Sequence, residues 1–81
     1  MNKEEAFAEI RKNLIEIFEI PEDDIKQDAK LMDDLGLDSI DAVDMMVQLQ
    51  ETTGQKVSPE QFENVVTVDD LVALVIELTE K

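Results

Sequence analysis

The chain has 81 residues, with 21 Asp and Glu against 7 Lys and Arg and no His, a formal charge of −14 at neutral pH. A field of that sign excludes nucleic acid as a direct partner, and an anionic membrane surface on the same grounds, because affinity for polyphosphates comes from Lys and Arg that displace counterions. Without Cys or His there is no thiolate nucleophile, imidazole base, disulfide or His/Cys zinc site, while 43% hydrophobic residues are too many for a disordered acidic tail.

No apolar run reaches the roughly 18 to 20 residues that span a bilayer, and Met1-Asn2-Lys3-Glu4-Glu5 lacks the apolar core of a signal peptide. The expectation is a cytoplasmic monomer, one domain over 1–81, without membrane insertion and without catalytic residues of its own.

Taken in chain order, the first segment places Phe7, Ile10, Leu14, Ile17 and Phe18 at three- and four-residue spacing, with Glu5, Glu9, Lys12 and Glu16 on the other side. Asn2 and Glu5 form a capping-box pattern. The spacing predicts a helix from about Lys3 to about Phe18, ended by Ile20-Pro21 because the residue before Pro is pushed out of the helical region. A long connection from Glu22 to Leu37 follows. Its apolar punctuation by Ile25, Leu31, Met32, Leu35 and Leu37 predicts a loop pinned across a core.

Asp38 is placed to cap a second helix running to about Thr52, with Gly54 suited to the left-handed stop beyond it. Ser58-Pro59-Glu60-Gln61 marks a short third helix carrying Phe62 and Val65. Thr67 caps a fourth, with Asp69 and Asp70 in its first turn and Val68, Leu71, Val72, Val75 and Leu78 on its inner face. Val65 to Val68 has strand-like composition, but the helical period downstream outweighs it. The predicted class is all-α, a small bundle of three main helices and one short one.

The second helix divides into three stripes. Ala42, Met45, Met46 and Leu49 form a core arc, and Asp41, Asp44, Gln48 and Glu51 form a polar face. Ile40, Val43 and Val47 lie between them. From Leu31 to Gln55 there are six acids and no Lys or Arg. Two readings are open: the third stripe either widens the core beside a solvated acidic face, or stays exposed as a docking strip for a basic partner.

The run Asp34-Leu35-Gly36-Leu37-Asp38-Ser39-Ile40-Asp41, at the end of the long loop and the start of the second helix, resembles the serine motif of the 4′-phosphopantetheine-dependent acyl carrier proteins. The resemblance extends from the first helix to the fourth, including the Ser-Pro-Glu turn and the Thr-Val start. It implies a bundle of the acyl-carrier type and a covalent 4′-phosphopantetheine on Ser39, flanked by Asp38 and Gly36. A phosphopantetheinyl transferase would install the arm, whose thiol would carry acyl intermediates as thioesters. Acyltransferases, ketosynthases and related synthase enzymes with basic patches would dock on Ile40, Asp41, Val43, Asp44, Val47 and Glu51. A phosphodiester on Ser39 would lie near the unpaired amides and positive dipole end of the second helix, which offsets its closeness to Asp38 and Asp41. Gly36 suits the close turn before that helix. The family also shelters acyl chains inside the bundle, and Met32, Met45 and Met46 suit either an adaptable cavity or ordinary core filling.

Gln50-Glu51-Thr52-Thr53-Gly54 shortens the acidic stripe relative to carriers of fatty-acid synthesis. Ile40-Asp41-Ala42-Val43-Asp44 together with Thr53-Gly54 looks more like carriers of specialised polyene- or polyketide-like pathways. The alternative from another class is an acidic helical adaptor or divalent-cation-binding protein without a prosthetic group. An EF-hand register that puts Gly36 at the sixth position places Leu31 at the first, where a carboxylate is required. A serine hydrolase built on Ser39 lacks a His, or a Lys close in sequence, to activate the hydroxyl.

Overall fold

Each helix starts where a side chain can replace the backbone acceptors that a first turn lacks. In the computed structural model, which describes residues 2–80, the helices are α1 (Lys3–Glu16), α2 (Ser39–Thr53), α3 (Pro59–Glu63) and α4 (Val68–Thr79). Met1, which opens the stretch read for a leader, and Lys81, the end of the expected 1–81 domain, lie outside the described residues. All four helices begin with a reciprocal capping box: Asn2 with Glu5, Asp38 with Asp41, Ser58 with Gln61 and Thr67 with Asp70. The all-α expectation holds. Among the described residues there is no strand, only an isolated antiparallel bridge between Lys30 and Thr67.

The inner faces of the helices meet in one core. Ala6, Ile10 and Leu14 of α1 pack chiefly against α4, whose Val68, Leu71, Val72, Leu74, Val75 and Leu78 are buried. Met45 and Leu49 of α2 close the same core. Each buried Val, Leu, Ile or Met side chain among them contributes roughly 1.5–3 kcal/mol of transfer free energy. Leu74 and Val57 are buried beyond the faces expected from spacing. The short α3 has no fully buried residue and leans on the core through half-buried Phe62, with Val65 just beyond it.

Two expectations for α1 are corrected. The helix ends at Glu16 rather than near Phe18, and Ile17, placed on its inner face by spacing, is exposed. The reason is local: Glu19 takes a left-handed conformation (φ 55°), and the Ile20 N–H turns back to donate to the Leu14 carbonyl at 3.1 Å. Ile17 therefore falls past the last full turn.

The connection to α2 is pinned as expected, with Ile25, Leu31 and Leu37 buried and Leu35 half-buried. It includes a single 3₁₀ turn at Glu22–Asp24, and Ala29 is a further buried anchor. The loop is tied to the start of α4 by backbone bonds: Leu31 N–H to Val66 O at 2.9 Å, Val68 N–H to Ala29 O at 3.0 Å, and Asp69 N–H to Gln27 O at 2.8 Å. Met32 departs from the expected pinning and is 57% exposed. No helix of the described residues is long and apolar enough to cross a membrane.

Candidate functional site

The loop delivers Gly36, Leu37 and Asp38 to the start of α2 in a fixed order. Gly36 has φ 72°, the left-handed turn that favours glycine. Leu37 anchors in the core. Asp38 then takes extended backbone as N-cap, its Oδ1 accepting from the N–H groups of Ile40 and Asp41, each at 3.0 Å. Asp41 Oδ2 accepts from the Asp38 N–H at 3.2 Å. Asp41 was not legible as the second half of the cap because that position ordinarily carries Glu or Gln.

Ser39 is the first residue of α2 and is exposed. Among the described residues nothing hydrogen-bonds to its hydroxyl, since the capping bonds beside it run between Asp38, Ile40 and Asp41. This corrects the expectation of free amides around a phosphodiester. Asp38 has already taken two of the first-turn N–H groups, so a group on Ser39 would be met by the helix dipole but by few unpaired donors.

On its other side Ser39 borders an open cleft of about 460 Å³ between α2, α3 and the long loop. Its walls are apolar: Leu31, Met32, Ala42, Met46, Phe62 and Val65 are among the lining residues. Met32 is exposed in the loop because it flanks this cleft rather than the core. The residue set fits a covalent arm, with an unencumbered nucleophilic oxygen at the mouth of a space that can take an apolar load.

The three stripes of α2 separate, and the third stays outside the core. Met45 and Leu49 are buried, while Ala42 and Met46 are half-buried along the cleft. Ile40, Val43 and Val47 are 71%, 58% and 44% exposed, which decides against their widening the core. Asp44 and Glu51 are exposed beside them, and Asp41, drawn into the cap, is half-buried. The ion pairs among the described residues, Lys3 with Asp69 at 3.6 Å and Arg11 with Glu22, leave these α2 acids unpaired. No group of three or more carboxylates among the described residues is arranged to hold a metal ion.

Comparison with known proteins agrees with this geometry. A family model described as "Phosphopantetheine attachment site" matches residues 8–75. The chain is similar to "Acyl carrier protein 2" of Ralstonia nicotianae, 41% identical over 78 residues that cover 96% of each chain. It is also similar to an acyl carrier protein of Thermotoga maritima, 34% identical over 91% of each chain. A third relative, from Saccharopolyspora erythraea, is 35% identical over 96% of this chain and 82% of its own length. The chain thus belongs to the acyl carrier proteins, which are carriers rather than catalysts and hold a covalent 4′-phosphopantetheine.

Proposed function

We propose that Ser39 is the attachment point of the 4′-phosphopantetheine and that the chain delivers acyl groups to biosynthetic enzymes of a specialised, polyketide- or polyene-like pathway rather than of bulk fatty-acid synthesis. The observation that carries the attachment reading is the exposed, unengaged Ser39 hydroxyl at the start of α2, within the stretch that the family model matches. During attachment a bond forms from Ser39 Oγ to the phosphorus that bears the pantetheine, the pyrophosphate bond of coenzyme A breaks, and the nucleotide leaves. The hydroxyl proton goes to the transferase. Once attached, the arm supplies a terminal thiol that holds acyl groups as thioesters.

The rest of the work falls to side chains of this chain. Gly36 keeps the approach to Ser39 free of a side chain. Asp38 fixes the first turn of α2 so that Ser39 Oγ faces solvent in a constant orientation. The cleft beside it gives the apolar part of a short load a place out of water. Asp41, Asp44 and Glu51 draw in transferases and synthase enzymes with basic patches, and Ile40, Val43 and Val47 provide the apolar contact on arrival. Charges at a rim act mainly on association rate and salt dependence, so docking is fast and weak, as a shuttle needs. The pathway preference rests on the short acidic stripe, which ends at Glu51 and passes into Thr52-Thr53-Gly54.

Loading with radiolabelled acetyl-coenzyme A and a promiscuous phosphopantetheinyl transferase tests the carrier reading. Wild type retains label that hydroxylamine releases, and Ser39→Ala retains none; retention by the variant would place the arm elsewhere. For docking, Asp44→Lys is expected to slow transfer to a partner enzyme at least several-fold, while Glu80→Lys leaves it nearly unchanged. Equal slowing would reduce the strip to nonspecific net charge.

A further inference from the structure

The charge around the cleft mouth is as one-sided as its walls are apolar. Asp33, Asp38 and Glu63 line it together with one ammonium, that of Lys30. None of the four takes part in an ion pair among the described residues. Asp38 is committed to the α2 cap, which leaves Asp33 and Glu63 as exposed carboxylates of the lining, one on the loop and one at the end of α3. The interior beyond them, from Leu31 and Ala42 to Phe62 and Val65, offers a charged group nothing to pair with.

We infer that this cleft selects its load by charge, admitting acyl chains that end in an uncharged group and turning away those that end in a carboxylate, with Asp33 and Glu63 setting the preference against Lys30. The inference rests on Ser39 as the attachment point and goes beyond it by naming the class of load. Two effects would both exclude a carboxylate, and they differ in a measurable way. Desolvation penalises any charged end, whatever its sign. The lining charges penalise only the negative one, and salt screens them beyond a Debye length of roughly 8 Å at physiological ionic strength, which shortens as salt is added. An amine-ended chain of equal length therefore separates the two.

The test uses amide-linked arms bearing an octanoyl chain, the same chain ending in an amine, and the same chain ending in a carboxylate. Each is installed on wild type and on an Asp33→Asn, Glu63→Gln double variant, with loading verified by intact mass. The readouts are the melting temperature and the methyl resonance of Met46, which lines the cleft. The octanoyl chain is expected to shift the Met46 resonance and raise the melting temperature by a few degrees over the bare arm. The amine-ended chain should give a smaller effect, and the carboxylate-ended chain should match the bare arm. The gap between the two charged chains should narrow at least twofold in the double variant and at high salt. A carboxylate-ended chain that stabilises as much as the amine-ended one overturns the inference and leaves desolvation alone, and one that stabilises more overturns it and assigns the mouth to Lys30. A gap unchanged in the double variant overturns it as well. If no arm loads, the attachment reading itself falls, which intact mass distinguishes from a loaded protein that shows no charge preference. Both substituted side chains are exposed, and the single variants report separately should the double variant fold poorly.

Discussion

Replacing Asp38 by Ala removes the two hydrogen bonds that its carboxylate accepts from Ile40 and Asp41, and about 1 kcal/mol of stability is expected to go with them. Urea unfolding reads that loss directly; a change within error would mean that solvent caps α2 equally well. Gly36 is a different case, because a Cβ there would meet nothing within 4 Å and only the φ of 72° opposes it. Gly36→Ala should therefore cost about 1–2 kcal/mol through backbone conformation alone. Asp70 gives a pH signature. Its carboxyl is held below the ordinary value of 3.8, first by the N–H of Thr67 and then by that of Val66. A depressed folded value means that this contribution is present in full above the unfolded value and is lost as pH falls through the folded one. Asp70→Asn should flatten the acid limb of the stability profile below about pH 4, as urea midpoints across that range would record. At this scale Asp38, Ser58 and Thr67 were legible because capping is a local pattern. The left-handed Glu19 was not, since nothing in its side chain announces that conformation.

Among the elements, α2 is the one whose three stripes separate a core face, an exposed apolar strip and a polar face, tasks that would otherwise compete in the proposed carrier. Met45 lies in the core at 1% exposure, so Met45→Ala should cost about 2–5 kcal/mol in chemical denaturation. Val43→Ser on the exposed strip should change stability by less than about 0.5 kcal/mol and yet weaken transfer to a partner enzyme several-fold. A large stability loss in Val43→Ser would return the strip to the core. Helical spacing identified the three stripes but left open whether Ile40, Val43 and Val47 face a neighbour, because periodicity fixes direction and not what stands there. The long loop was legible as anchored from Ile25, Leu31 and Leu37. Its ties to Val66, Val68 and Asp69 were not, since they join backbone groups more than thirty residues apart with no pattern in the side chains. Met32 was misplaced for the same reason: whether it pins the loop or flanks the cleft depends on where α3 comes to rest.

For the molecule as a whole, the charge of −14 acts in two directions. Self-repulsion weakens the folded state, so moderate salt should raise the melting temperature, while the same salt should slow transfer to partners whose approach the α2 acids steer. Opposite signs in the two measurements, thermal unfolding and transfer rate against salt, identify one field with two consequences; parallel signs would separate them. The family was legible from the octet around Ser39 and from the helical pattern that surrounds it. The cleft was legible only as one of two uses for the methionines, because it depends on α3 being held away from α2. The central claim is that Ser39, freed by the Asp38 cap and set at the mouth of that cleft, carries the prosthetic arm. Intact mass after incubation with coenzyme A and a phosphopantetheinyl transferase, followed by fragmentation of the peptide spanning Leu31 to Lys56, tests it most directly. A single phosphopantetheine-sized gain localised to Ser39 and absent from Ser39→Ala is the predicted result, and a gain on any other residue, or none, would contradict it.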